Sequence, residues 1–239
     1  MNTGRRINLF CFPFAGGSVY SYRPFLSYCP PDINIVPLEL PGRGRRTIEP
    51  LLTCIDEMVD DMYSRIKSHL SEPYAFYGHS MGTVLALRTA WKIREEGLTM
   101  PLSMIMSGRG GPSNPEPVTC RSDLPREEFF LKLRELGGSP DEVFSNEEVK
   151  SYFEPILRAD FKALENYNYQ PHNHPVSVPF AVMVGNEEGI ALEKAMLWQQ
   201  ETTFQITVNT YSGGHFFIFD QPHAIVPEIT RYIRRSNAM

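Results

Sequence analysis

The strongest constraint on the fold comes from residues 74–87, which read YAFYGHSMGTVLAL. The first four are aromatic or apolar, as in a buried strand, and apolar residues from Thr83 onward recur at helical spacing. This pattern predicts that a strand turns sharply into a helix at Ser80. Gly78 and Gly82 suit such a turn, because larger side chains would collide where strand and helix converge.

Length and composition exclude several classes of protein. A single domain spanning residues 1–239 fits this length better than two small domains. The net charge of −5 argues against nucleic-acid binding, which favours a basic face. No apolar run approaches the roughly 18 residues of a membrane span, so no membrane association is expected. The N-terminus, MNTGRRINLFCFPF, lacks the long apolar region of a signal peptide, which predicts a cytoplasmic location.

Apolar runs alternate with helical stretches, which favours an α/β fold with a mainly parallel central sheet flanked by helices. Strands are expected at residues 7–12, 33–38, 74–77, 102–107, 180–184 and 205–211, and helices at 52–70, 83–96, 191–200 and 223–235. Residues from about 112 to 175 show helical patterns without a strand signal, which predicts a helical lid inserted over the sheet. The apolar residues of this lid either pack it down or line an acyl-chain tunnel.

Residues 78–82, GHSMG, match the G-x-S-x-G nucleophile elbow of α/β-hydrolases, with the expected strand before it and helix after it. Ser80 is therefore the predicted nucleophile. The backbone amide of Met81 and the start of the following helix would stabilise an oxyanion. A second donor should come from the loop after the first strand, CFPFAGGS, in which Ala15 is the expected residue.

A serine hydroxyl needs a base to take its proton. Of six histidines, His215 alone follows a predicted strand through a glycine-rich loop near the C-terminus, where this fold places its base. The acid should follow an earlier strand, and residues 180–184 lead into GNEEG. Its spacing from the strand favours Glu188 as the acid, with Glu187 as the alternative. The four cysteines have no metal-ligand spacing, and neither a metal nor a cofactor is expected.

Five segments in order resemble the type II thioesterases of nonribosomal peptide and polyketide synthases. They read FPFAGGS, LELPGRGRR, YGHSMG, LRADFKALENY and YSGGHFFIF. The resemblance implies hydrolysis of acyl groups from the phosphopantetheine thiol of acyl or peptidyl carrier proteins, clearing mis-primed or stalled units. Ser80 and His215 carry over directly, whereas the family usually has aspartate at the position of Glu188. A small-ester hydrolase or acyltransferase and a medium-chain fatty acyl thioesterase are the alternatives, and a monomer is expected.

Two groups of arginines are candidates for steering an acidic carrier domain. Arg43, Arg45 and Arg46 lie in the loop after the second predicted strand, and residues 231, 234 and 235 lie at the end of the last predicted helix. Cations at a helix C-terminus also offset the helix dipole, and the loop arginines could form an ordinary solvated face. Both interpretations stay open at this point.

Overall fold

A computed structural model describes residues 6–113, 122–135, 145–172 and 174–238. Its centre is a six-stranded sheet of order β2-β1-β3-β4-β5-β6, in which every neighbouring pair is parallel. The strands are β1 (Ile7–Phe12), β2 (Ile33–Pro37), β3 (Tyr74–His79), β4 (Met104–Ser107), β5 (Phe180–Gly185) and β6 (Thr207–Tyr211). All six predicted strands are present, and the predicted parallel α/β architecture is confirmed.

Helices connect the strands and cover both faces of the sheet. They are α1 (Arg23–Leu26), α2 (Ile55–Ile66), α3 (Met81–Glu95), α4 (Arg126–Glu135), α5 (Glu147–Glu165), α6 (Leu192–Met196), α7 (Phe217–Asp220) and α8 (Pro222–Asn237). Short 3₁₀ turns at Lys67–His69 and Leu197–Glu201 extend α2 and α6. The α-helices α2 and α6 are therefore shorter than the predicted ranges 52–70 and 191–200. The sequence pattern does not predict α1 and α7, because four residues are too few to show a helical period.

The core divides into two main layers because successive strand residues point to opposite faces of the sheet. Phe10 and Phe76 pack on one face with the apolar sides of α2 and α3. Leu9 and Tyr77, their neighbours in sequence, pack on the other face with α8. Strands β3 and β5 are buried along their whole length, as expected for parallel strands covered on both sides.

Helices α4 and α5 lie between β4 and β5 in sequence, within the predicted lid. An apolar cluster joins the two helices and contacts Ala15; its buried members are Phe129, Phe130, Leu133, Leu157 and Phe161. Mutual packing accounts for these five side chains, which favours the packing interpretation of the lid over an acyl tunnel. Residues 114–121, 136–144 and 173 of the predicted lid lie outside the described residues, so its limits stay a prediction. None of the helices described is both long and apolar enough to cross a membrane.

Candidate active site

Ser80 lies in the tight turn between β3 and α3. Its φ of 53° and ψ of −117° make it the one non-glycine residue with a positive φ in the described part of the chain. Its backbone N–H donates to the carbonyl of Ser107 at 2.8 Å, which ties the turn to the neighbouring strand β4. Backbone strain of this kind persists only where the surrounding structure holds it, and it is typical of a nucleophile elbow.

The glycines on either side of Ser80 leave no room for a side chain. A Cβ added at Gly78 would lie 2.3 Å from the carbonyl oxygen of Gly82, and one added at Gly82 would lie 2.5 Å from that of Phe12. The start of α3 therefore packs directly against the end of β1. This close approach brings the elbow next to the loop that follows β1. The convergence of strand and helix at Gly78 and Gly82 is as the glycine pattern predicted.

His215 and Glu188 meet beyond the ends of β6 and β5. Nδ1 of His215 lies 2.9 Å from Oε2 of Glu188, and the other carboxylate oxygen accepts from the N–H of Gly185 at 2.6 Å. The Glu188 side chain is 1% exposed, whereas Glu187 is exposed to solvent. Of the two glutamates left open by the sequence, the fold brings Glu188 to the imidazole.

Hydrogen bonds between the two loops account for this meeting. The N–H of Gly213 donates to the side-chain oxygen of Asn186 at 2.9 Å, and its carbonyl accepts from the N–H of Glu187 at 3.0 Å. Gly213 has a φ of 113°, which a residue with a side chain rarely adopts. The loop after β6 can therefore fold back over the end of β5 and carry His215 to Glu188.

His79, which lies in the elbow, contacts His215 in the loop after β6. Its ring centroid lies 4.9 Å from that of His215, and its Nδ1 lies 3.1 Å from Oγ of Ser107. Complete burial, and secondarily the nearby His215, hold the pKa of His79 well below its usual range. His79 therefore stays neutral beside His215. The sequence pattern does not predict this contact between His79 and His215.

Two backbone amides in the loop after β1 already donate to acceptors within the protein. The N–H of Gly16 donates to Oδ2 of Asp160 at 2.7 Å, and the N–H of Gly17 donates to the carbonyl of Phe14 at 2.8 Å. The amides of Ala15 and Met81 donate to no acceptor within residues 6–113, 122–135, 145–172 and 174–238. They are thus the amides that remain available to a substrate oxygen.

The expectation of a basic surface formed by Arg43, Arg45 and Arg46 is wrong for two of the three residues. Arg43 is 1% exposed and pairs with Asp160, while Arg46 is 8% exposed. The Arg46 guanidinium pairs with the carboxylates of Glu49 and Asp61. Only Arg45 is exposed. Sequence spacing could not reveal this difference, because Arg43 pairs with Asp160 on α5 and Arg46 pairs with Asp61 on α2, both of which are distant in sequence.

The arginines near the end of α8 are exposed, and two of them have acidic partners. Arg231 pairs with Glu228 on the same helix, and Arg234 pairs with Asp32 at 2.5 Å. These ion pairs favour a structural interpretation of this group. Among the described residues, no group of three or more histidine, cysteine, aspartate or glutamate side chains could hold a metal ion.

Comparisons with known proteins agree with this geometry. The family model described as "Thioesterase domain" matches residues 7–233. The gramicidin S biosynthesis protein GrsT of Aneurinibacillus migulanus is 30% identical over 98% of this chain and 91% of its own length. The structure of ClbQ from the colibactin NRPS/PKS pathway superposes with a TM-score of 0.92 at 28% identity, covering 98% of this chain and 99% of ClbQ.

YbtT, titled a type II thioesterase of the yersiniabactin NRPS/PKS pathway, gives a TM-score of 0.85 at 26% identity, covering 99% of this chain and 96% of its own. These similarities extend from end to end and confirm the predicted α/β-hydrolase fold. One assignment follows from the elbow at Ser80, the pairing of His215 with Glu188, and the family match. The chain belongs to the thioesterase family.

Proposed function

We propose that this protein hydrolyses acyl groups from the phosphopantetheine thiol of carrier proteins and so edits mis-primed or stalled synthases. The observation that carries the proposal is the contact between His215 and Glu188 in a chain with a serine elbow and type II thioesterase relatives. Thioester hydrolysis needs a nucleophile, a base and an oxyanion site. The described residues supply a candidate for each of them.

In the acylation step, Oγ of Ser80 attacks the thioester carbonyl while Nε2 of His215 takes the hydroxyl proton. Glu188 accepts a hydrogen bond from Nδ1–H and stabilises the imidazolium that forms. The amides of Ala15 and Met81 donate to the oxyanion of the tetrahedral intermediate. As this intermediate collapses, the C–S bond breaks and the imidazolium of His215 gives its proton to the leaving sulfur, which frees the carrier thiol and leaves His215 neutral for the next step. Sulfur leaves readily because thiols are much stronger acids than alcohols; a free cysteine thiol has a pKa of about 8.5.

In the second step, water attacks the acyl-serine ester. His215 takes a proton from this water and returns it to the oxygen of Ser80 as the ester bond breaks. The products are a carboxylic acid and, from the first step, a carrier protein with a free thiol. Water serves as the co-substrate, and none of these steps needs a cofactor.

A direct assay tests the substrate class. We expect the protein to release acids from acetyl-, hexanoyl- and long-acyl-carrier proteins faster than from the corresponding p-nitrophenyl esters. Mass spectrometry of the carrier would measure the first reaction, and the absorbance of released nitrophenol the second. Activity on the esters without activity on any acyl-carrier protein would instead assign the chain to the small-ester hydrolases or acyltransferases. A strong preference for medium-chain acyl carriers would favour the fatty acyl alternative.

We further propose where the carrier docks. Arg45 and Arg23 are both exposed, and their guanidinium carbons lie 5.9 Å and 4.6 Å from the ring centroid of Tyr20. Neither guanidinium forms an ion pair within the part of the chain that the structure describes. Oε1 of Glu39 accepts from the N–H of Val19 at 3.0 Å, and Oε2 accepts from that of Arg45 at 2.8 Å.

These bonds attach the cationic surface to the end of the loop that contains Ala15. A cationic surface beside the active site suits an acidic carrier domain, because complementary charge speeds encounter. Ile48, which is 97% exposed three residues after Arg45, offers an apolar contact to the same partner. We propose that Tyr20, Arg23, Arg45 and Ile48 form the carrier-docking surface.

The variant Arg45→Glu tests this surface. We expect its KM for an acyl-carrier protein to rise about tenfold at low salt, and the difference from wild type to shrink as salt screens the charges. Arg235→Glu on α8 changes the net charge equally at an exposed position and should leave this KM unchanged. Equal KM values for the two variants would exclude Arg45 from the docking surface.

Location and oligomeric state are part of the same proposal. Cys11, Cys29 and Cys54 are free thiols, which suits the reducing cytoplasm that we propose as the site of action. We also propose that the protein acts as a monomer, because one chain provides Ser80, His215 and Glu188. Size-exclusion chromatography with light scattering would test the monomer.

A further inference from the structure

A buried ion pair joins the lid helix α5 to the body of the protein. Oδ2 and Oδ1 of Asp160 accept from Nη1 and Nη2 of Arg43 at 2.5 Å and 2.8 Å, and both side chains are at most 1% exposed. The same Oδ2 accepts from the backbone N–H of Gly16 at 2.7 Å. Asp160 is thus bonded to residues 117 and 144 positions away in sequence.

Stability alone is a weak explanation for this pair. Removing two charges from water costs about as much free energy as their attraction returns, and apolar pairs of similar volume often stabilise a protein equally well. The third contact of Asp160 distinguishes it from a simple ion pair. That contact reaches the loop in which Ala15 is the proposed oxyanion donor.

The bond to Gly16 orients the peptide unit between Ala15 and Gly16. The orientation of this unit depends on the ψ of Ala15 and the φ of Gly16, which is +80°. Leu157, one helical turn before Asp160 on α5, lies so close that a Cβ at Gly16 would be 2.8 Å from its Cδ2. Both contacts from α5 restrict the conformation of the loop at the residue whose amide must face the substrate.

We propose that Asp160 is a positioning residue for the oxyanion site. Arg43 holds the Asp160 carboxylate in place, and the carboxylate holds the loop so that the amide of Ala15 is aligned before substrate binds. The part of α5 around Asp160 therefore belongs to the catalytic framework and does not act as a movable cover. This inference rests on the proposed serine mechanism.

The double variant Arg43→Met/Asp160→Leu separates positioning from stability. It replaces the ion pair with apolar side chains and leaves the N–H of Gly16 without its acceptor. We expect the variant to fold, with kcat lowered about 100-fold and KM little changed, because the loss or misplacement of one oxyanion donor costs on this order. Phosphonylation of Ser80 by a fluorophosphonate, which also develops charge on an oxygen, should slow by a similar factor.

The double variant Arg43→Gln/Asp160→Asn is the matched control. It also removes both charges, but the asparagine keeps a side-chain oxygen that can accept from Gly16. We expect it to regain most of the lost kcat. A folded apolar pair with wild-type kcat and a wild-type phosphonylation rate would overturn the proposal.

If the apolar pair does not fold, Arg43→Gln/Asp160→Ala replaces it in the comparison. Equal kcat and phosphonylation rates for the alanine and asparagine pairs would then overturn the positioning role. Phosphonylation needs no carrier substrate. It therefore tests Asp160 even if the wild-type protein fails to hydrolyse acyl-carrier thioesters, an outcome that would reject the proposed function separately.

Discussion

Replacing Ser80 with alanine is expected to lower kcat for acyl-carrier hydrolysis by about 10⁶-fold, the cost typical of removing a triad nucleophile. The variant lacks the oxygen that forms the acyl-enzyme, so no covalent intermediate can accumulate. The fold should survive, because the hydrogen bond from this turn to Ser107 comes from the backbone N–H of Ser80. Mass spectrometry of the carrier and of the protein would measure both turnover and acylation.

Ser71→Ala is a suitable control for this substitution. Ser71 is exposed in the turn before β3, so its loss should leave kcat unchanged. A Ser80→Ala variant that retains wild-type turnover, or that still becomes acylated, would show that another residue is the nucleophile. The elbow at residues 78–82 would then be a structural turn.

Replacing Glu188 with glutamine is expected to lower kcat by about 10⁴-fold, as when a triad aspartate becomes asparagine. The amide of glutamine can donate to Nδ1 of His215 and so favour the tautomer that carries its proton on Nε2. Nε2 could then no longer accept the hydroxyl proton of Ser80. The geometry that motivates this prediction is the 2.9 Å contact between Nδ1 and Oε2.

Glu187→Gln provides a control at the adjacent position with the same change of charge. Because the Glu187 side chain is exposed, we expect kcat to stay close to that of wild type. The rate of thiol release from an acyl-carrier protein, measured under identical conditions, would compare the kcat values of the two variants. A larger loss for Glu187→Gln than for Glu188→Gln would identify Glu187 as the acid.

Local patterns in the sequence predicted most of the secondary structure. Most strands appear in the sequence as apolar runs bounded by polar or turn residues, and β1 has the predicted limits of residues 7 and 12. The sequence predicts helix ends less accurately: apolar periodicity predicts a start at Thr83 for α3, whereas the helix starts at Met81. The helix begins immediately after Ser80 because the elbow turns within a single residue.

The choice between Glu187 and Glu188 required the structure. The two residues are adjacent and have identical side chains, and the local motif GNEEG favours one only through its spacing from the strand. Their environments differ because the loop after β6 bonds to Asn186 and Glu187 through the backbone of Gly213 and leaves Glu188 beside His215. The departure from the aspartate usual in the resembling family therefore still leaves a carboxylate at the imidazole.

By itself, the sequence determined the sharp turn from strand to helix at Ser80 and the alternation of strands and helices, and it predicted the order of the candidate serine, acid and histidine. These features depend on backbone geometry within a few residues, which glycines and apolar periodicity encode directly. Only the tertiary structure decided that Arg43 is buried while Arg45 is exposed, and that Asp160 reaches Gly16 from 144 residues away. Such contacts depend on how α5 packs against the loop after β1, and apolar periodicity does not specify which buried position receives a charged partner.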